Sequence, residues 1–231
     1  MSNYIFFDLN GTLIDTRVLQ QCYQECSTDP QTTAKKVWDL AFETFQHNAV
    51  AGKVQPFEDV IESAMRAVHC EQAKECFFSR LPSCPLYDDV RISFPKMKAL
   101  DLKLGLLTNT PTRYMNEILA ATGISELLDV SLSAEEVSTG VHKPDLRVYN
   151  LLVNLLNTGV AHNICYVSAH KWDCLGALNL GIPTIMINRE GSATVIDRRI
   201  PTITSLDMLP NVVMALFTSP DKLEAIKAEE S

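Results

Sequence analysis

The chain begins with a short apolar run, Tyr4-Ile5-Phe6-Phe7, that stops at Asp8. A run of this length closed by a turn signal predicts a buried strand, and Asn10-Gly11-Thr12 supplies the turn. From residue 16 to residue 80 the apolar positions recur at helical spacing instead. Val37, Leu40, Ala41 and Phe45 share one face, and Val60, Ala64, Val68 and Cys70 group together further on. Pro30, Gly52 and Pro56 punctuate these helices, and no strand pattern interrupts them. Leu81-Pro82-Ser83-Cys84-Pro85 reads as a linker, because two prolines deny the backbone a helix.

After that linker the pattern alternates. It predicts helices over 94–100, 112–122, 145–157 and 173–180, and strands over 102–108, 130–133, 164–168 and 184–188. The tail after Pro220 is charged and reads as a short helix or a frayed end. Strands that are apolar throughout and alternate with helices call for a parallel sheet covered on both faces. The expected fold class is therefore α/β: a doubly wound, Rossmann-like core with an all-helical insertion after its first strand. Residues 1–15 and 82–231 form the expected core, and 16–81 the inserted helical cap domain.

Length supports the insertion: 231 residues is more than one typical domain and less than two. A hydrophobic fraction of 46% against 21% charged residues excludes wholesale disorder. The formal charge of −8 argues against a nucleic-acid partner. It leaves room for a small anionic ligand, since a local pocket need not follow the net charge. No stretch reaches the roughly 20 apolar residues of a membrane span, and the N-terminus lacks a signal-peptide pattern. No membrane and a cytoplasmic location are the expectation. Seven cysteines with no CxxC pair are expected to be buried reduced thiols rather than a disulfide framework or a zinc site.

Ligands of doubly wound sheets bind beyond the carboxyl ends of the strands. Those ends hold Asp8 and Asn10, Thr108 and Asn109, and the loop Ser168-Ala169-His170-Lys171-Trp172-Asp173. Lys143-Pro144-Asp145 opens a helix, with proline suited to the first turn, and Tyr149 follows on it. His170 is either a proton shuttle with a pKa near neutrality or a solvated loop residue. Trp38 and Trp172 read as packing anchors, and Arg198-Arg199 as a solvated loop pair.

Four segments, in this order and each at a strand end, resemble the motifs of the haloacid dehalogenase superfamily. Asp8-Leu9-Asn10-Gly11-Thr12 matches its DxxGT, Thr108 its strand-ending hydroxyl, Lys143-Pro144 its lysine, and the loop from Ser168 to Asp173 part of its acidic fourth motif. The resemblance implies an aspartate nucleophile at Asp8. A carboxylate serves as a nucleophile when desolvated yet held by positive charge. Lys143 would supply that charge. Thr108 and the backbone amides of Leu9 and Asn10 would donate to developing negative charge, under a cap that excludes water.

Within the superfamily, magnesium phosphatases resemble the chain less well. Their acid–base aspartate falls on Asn10, which cannot carry a proton at neutral pH. Their magnesium-binding aspartate falls on Ala169, which cannot ligate a hard cation. The 2-haloacid dehalogenase branch lacks both groups, and its SSNxWD loop is similar to Ser168, Trp172 and Asp173 here. Asn109, Lys143 and Tyr149 also match that branch. The resemblance implies a metal- and cofactor-free hydrolase of a small carboxylate substrate, and homodimers as a common state. Asp8 would form an ester, and Asp173, held by Ser168 and Lys143, would orient or activate water to hydrolyse it. The implied catalytic set is Asp8, Thr12, Lys143, Ser168 and Asp173. The implied substrate-binding set is Leu9, Asn10, Thr108, Asn109, Tyr149, His170 and Arg17.

The chain departs from the branch at three places: Asn10 for a tyrosine, His170 for an asparagine, and Asp39, after Trp38, for a halide-binding cap arginine. Arg17 is the nearest candidate to replace that arginine. Two other readings stand beside the dehalogenase: a magnesium-dependent phosphatase of a small phosphate ester, and a catalytically silent relative that binds a ligand or protein.

Overall fold

A computed structural model describes residues 3–155, 163–190 and 197–218. Its centre is a six-stranded, all-parallel sheet in the order β3-β2-β1-β4-β5-β6. The strands are β1 (Tyr4–Phe7), β2 (Lys103–Thr108), β3 (Val130–Ser133), β4 (Ile164–Ser168), β5 (Thr184–Ile187) and β6 (Thr202–Ile203). Side chains alternate across a strand, and the two buried clusters follow that parity. Ile5, Phe7, Leu104, Leu106, Cys165 and Val167 enter one cluster. Phe6, Leu107, Ile164 and Tyr166 enter the other. Burial on both faces is why these segments read as continuous apolar runs rather than alternating ones.

The helical insertion lies between β1 and β2. It holds α1 (Pro30–Ala51), α2 (Phe57–Ala67) and α3 (Lys74–Arg80), and no strand among its described residues. The Asp29 side chain accepts from the Thr32 N–H, Pro30 sits in the first turn, and Gly52 closes α1 in the left-handed conformation. Val37, Trp38, Ala41 and Phe45 form its buried face, while Leu40 is only partly covered. The chain enters and leaves the insertion side by side. Asp15 N–H donates to Pro85 O at 2.8 Å and Tyr87 N–H to Leu13 O at 3.0 Å.

The remaining helices are α4 (Asp88–Ala99), α5 (Thr112–Thr122), α6 (Leu146–Leu155), α7 (Lys171–Asn179) and α8 (Leu209–Thr218). Helix α4 starts six residues before the expected Phe94, because Asp88 and Asp89 provide the acidic first turn that a helix start favours. The expected linker at 81–85 contains a single 3-10 turn, Leu81–Ser83, which accommodates Pro82 at its start. Strand β6 and helix α8 were not anticipated: two residues are too few to show a period, although Leu209, Val213 and Leu216 do bury one face of α8. The tail after Pro220 and residues 156–157 of the expected 145–157 helix lie outside the described residues.

The cysteine expectation fails for four of the seven. Cys22 is bonded to Cys76 and Cys26 to Cys70, both pairs within the helical insertion. Cys84, Cys165 and Cys174 are free and buried, as expected. Spacing could not reveal the pairs, because partners 54 and 44 residues apart meet only when the helices pack. Among the described residues, no helix is long and apolar enough to cross a membrane.

Candidate active site

Strand order reverses between β1 and β4, and that switch point opens a crevice at their carboxyl ends. Asp8 stands in it, directly after β1. Its backbone N–H continues the ladder to Val167 O, which fixes the carboxylate at the sheet's rim. Lys143 Nζ donates to Asp8 Oδ1 at 2.8 Å, and Thr12 Oγ1 donates to Asp8 Oδ2 at 2.9 Å. The Thr12 hydroxyl also accepts from the Ala169 N–H, locking the first loop to the fourth. Gly11 makes that loop with φ +74°, beneath the His170 ring.

Lys143 is fully buried and surrounded by oxygens. Its Nζ reaches Asp8 Oδ1 and Asp173 Oδ2, each at 2.8 Å, the Tyr166 hydroxyl at 2.7 Å and Leu107 O at 3.1 Å. Burial by itself would push the ammonium's pKa down, but the charges of Asp173 and Asp8 outweigh it and hold the pKa above its ordinary value. Asp173 is held in turn by two tyrosines. Tyr149 donates to Oδ1 at 2.6 Å and Tyr166 to Oδ2 at 2.9 Å. Burial, followed by the Asp173 charge, pushes both phenols far up, so both remain donors.

Tyr166 was missed by the sequence reading, yet it left a signal. A tyrosine in an otherwise apolar buried strand must bring its hydroxyl to a polar partner. Conversely, no hydrogen bond joins Ser168 to Asp173. The Ser168 hydroxyl accepts from the His170 N–H at 3.1 Å and shapes the loop. Arg189 was also missed. It pairs with Asp89, donates to Thr12 O at 2.6 Å and covers the Tyr87 ring, bracing the first loop from behind.

A cavity of about 10 Å³, room for one water-sized guest, lies between this cluster and α1. Asp8, Asn10, Asn109, Lys143 and His170 form its polar wall; Trp38, Phe42, Phe45, Phe57 and Trp172 form its apolar one. Asn109 clamps the lysine segment, accepting from Lys143 N–H at 2.7 Å and donating to Lys143 O at 3.2 Å. Asn10 donates to the Thr110 hydroxyl at 2.8 Å, leaving its own Oδ1 buried without a partner. His170 is not a solvated loop residue. Its Nε2 lies 2.8 Å from Asn10 O and 3.6 Å from Asp8 Oδ2, and its ring packs on Phe42 and Trp172. A carbonyl can only accept, so Nε2 carries the hydrogen.

Other expected residues lie apart from the cavity. Arg17 does not reach it: the guanidinium is exposed and paired with Asp15 at 2.6 Å, an intraturn partner that outcompetes a distant one. Asp39 faces solvent and pairs with Lys35. Thr108 is fully buried and accepts from the Thr110 N–H at 3.0 Å. Leu9 is buried, and its carbonyl accepts from the Leu13 and Ile14 N–H groups. Asp173 and Tyr149 stand behind Lys143 rather than on the wall.

The residues present do not fit a magnesium ion. Both Asp173 oxygens are taken by hydrogen donors, Asn10 stands where a second carboxylate is needed, and Ala169 offers no oxygen. Among the described residues no group of three or more His, Cys, Asp or Glu side chains could hold a metal.

A doubly wound parallel sheet with a helical insertion over an aspartate at the end of β1 defines the class: a hydrolase of the haloacid dehalogenase-like type. Residues 5–187 match the family model described as haloacid dehalogenase-like hydrolase, and the chain belongs to that family. An (S)-2-haloacid dehalogenase of Pseudomonas putida is 27% identical over 201 residues, covering 82% of this chain and 86% of the relative. The crystal structure of an L-2-haloacid dehalogenase, RSc1362, superposes with a TM-score of 0.82 at 21% identity, covering 93% of this chain and 99% of the other. That of the Xanthobacter autotrophicus L-2-haloacid dehalogenase with covalently bound chloropropionic acid gives 0.76 at 17% identity, with coverages of 93% and 99%.

Proposed function

We propose that the protein hydrolyses a small 2-halocarboxylate without a metal or other cofactor. The observation that carries this reading is the Asp8 carboxylate, 5% exposed, held by Lys143 and Thr12 at the mouth of a largely aromatic cavity. Such a carboxylate is poorly hydrated and lies against a lysine ammonium, the condition for a carboxylate nucleophile.

In this reading a lone pair of an Asp8 carboxylate oxygen attacks the halogen-bearing carbon from behind. A carbon–oxygen bond forms as the carbon–halogen bond breaks, and the halide leaves with its electron pair. Water then adds to the Asp8 carboxyl carbon and the acyl–oxygen bond breaks. This releases the inverted 2-hydroxy acid and one proton and regenerates Asp8. Lys143 positions Asp8 and stabilises the negative charge that builds on the tetrahedral carbon's oxygen. Asp173, fixed by Tyr149 and Tyr166, holds Lys143 in place against Asp8. The helical segment 16–81 acts as the cap that covers the ester, and residues 1–15 and 82–231 as the catalytic core.

Halide release from 2-chloropropionate in the presence of chelator tests the reading. Wild-type release that Asp8→Ala abolishes is expected. No release above that variant's background would overturn it.

A further inference from the structure

Arg189 and Asp89 are paired in a geometry that the pair by itself does not favour. An arginine and a carboxylate bind best through two parallel hydrogen bonds. Here only Arg189 Nη1 meets the carboxylate, at Asp89 Oδ2. Arg189 Nε and Asp89 Oδ1 are buried without a hydrogen-bond partner. The second amino group, Nη2, donates to Thr12 O at 2.6 Å instead. Two buried polar atoms left unsatisfied are costly. A local rule broken in this way points to a functional demand on the residue that is held instead.

That residue is Thr12, which is fully buried. The Leu13 and Ile14 amides of its loop converge on Leu9 O, and among the described residues Thr12 O has no donor but Arg189. The hydroxyl of the same residue donates to Asp8 Oδ2 at 2.9 Å and accepts from the Ala169 N–H. Without Arg189 the carbonyl would be a buried acceptor lacking a partner. The peptide would turn to find one and carry the hydroxyl with it. The anchor behind Arg189 is stiff: Asp89 Oδ2 also accepts from the Leu206 N–H at 2.8 Å, and the guanidinium lies 4.0 Å from the centre of the Tyr87 ring. We propose that Arg189 is a positioning residue for Asp8, acting through Thr12. This rests on the reading of Asp8 as the nucleophile. Arg189 is not among the residues that line the cavity. It fixes the Asp8 Oδ2 side of the carboxylate from behind, while Lys143 holds Oδ1 directly.

Arg189→Lys tests this. A lysine keeps the charge opposite Asp89, but one ammonium cannot reproduce the fork between Asp89 and Thr12 O. In halide release from 2-chloropropionate, kcat is expected to fall about tenfold, as for one misplaced hydrogen bond to a carboxylate, with KM unchanged. Thr12→Val removes the hydroxyl and keeps the carbonyl. In that background Arg189→Lys is expected to lower kcat less than about twofold, because residues acting through one another do not add. The same loss in both backgrounds, a change in KM alone, or wild-type kcat in Arg189→Lys would overturn the proposal. If the lysine variant does not fold, Arg189→Met combined with Asp89→Asn, which leaves no unpaired buried charge, takes its place in the same cycle. A crystal structure of the folded variant reads the positioning without any activity. Thr12 Oγ1 is expected beyond hydrogen-bond distance of Asp8 Oδ2, and an unmoved hydroxyl sinks the assignment. The two readings stay apart: a displaced hydroxyl with a wild type that releases no halide removes only the dehalogenase reaction. An active wild type with an unmoved hydroxyl in the variant removes only the role of Arg189.

Discussion

Gly176 on α7 lies against Tyr149 so closely that a Cβ at position 176 would stand 2.5 Å from the phenol oxygen. That oxygen makes the 2.6 Å bond to Asp173 Oδ1. The glycine weakens its helix, by about 1 kcal/mol relative to alanine on intrinsic propensity. It is there because only a hydrogen leaves space for the tyrosine that fixes Asp173.

Gly176→Ala should therefore slow turnover although it improves helix propensity. Loss of a hydrogen bond to a buried carboxylate costs about 1.5–3 kcal/mol, or roughly ten- to a hundredfold in rate if it acts wholly on the transition state. Tyr149→Phe should give a loss of similar size. Steady-state kinetics on both variants decides, and an alanine variant as active as wild type would contradict the argument.

Tyr166 is expected to act on the second half of the reaction. Its hydroxyl joins Lys143 to Asp173. Tyr166→Phe keeps the ring and the direct Lys143–Asp173 pair but removes this link. Ester hydrolysis should slow about tenfold, the worth of one such bond. Intact-protein mass spectrometry should then show an adduct on Asp8 accumulating during turnover. A fall in rate without any adduct would place the effect on the first step instead.

His142 makes stability depend on pH through its contact with the helical insertion. It is buried, with Nε2 2.9 Å from Gln55 O and its ring on Phe45. Burial lowers its pKa from the ordinary 6.5. The unfolded chain therefore takes up the proton first as pH falls. The contribution of His142 is complete above about 6.5 and is lost as pH drops from there towards the lower folded value. Denaturant unfolding at pH 7.5 and 5.5 should show wild type losing up to about 1 kcal/mol more than His142→Gln. Equal losses would mean that His142 is not the group responsible.

The two disulfides should be visible as stability and as thiol count. Each closes a long loop and should contribute about 2–4 kcal/mol. Reduction should lower Tm by at least about 5 °C. Thiol titration of the denatured protein should find three free groups before reduction, Cys84, Cys165 and Cys174, and all seven after it. Seven before reduction would refute both bridges.

The sequence by itself determined the architecture and the neighbourhood of Asp8. Apolar runs and helical spacing depend on local periodicity, so β1, β2, β4 and the helices of the insertion were readable without a partner. The strand ends then named Asp8, Thr12, Lys143, Asn109, His170 and Asp173, which the fold brings together. Only the tertiary structure decided which groups touch. Ser168 yields to Tyr149 and Tyr166 around Asp173 because hydroxyl reach depends on packing across the sheet. Arg17 turns to Asp15 because an ion pair two residues away needs no ordering of distant chain. Cys22 and Cys26 find Cys76 and Cys70 only once the insertion's helices have packed. The same packing brings Trp38 to the wall of the cavity that Trp172 also lines, two residues that read as packing anchors. Periodicity is a property of neighbours in the chain; partnership among polar groups is a property of neighbours in space.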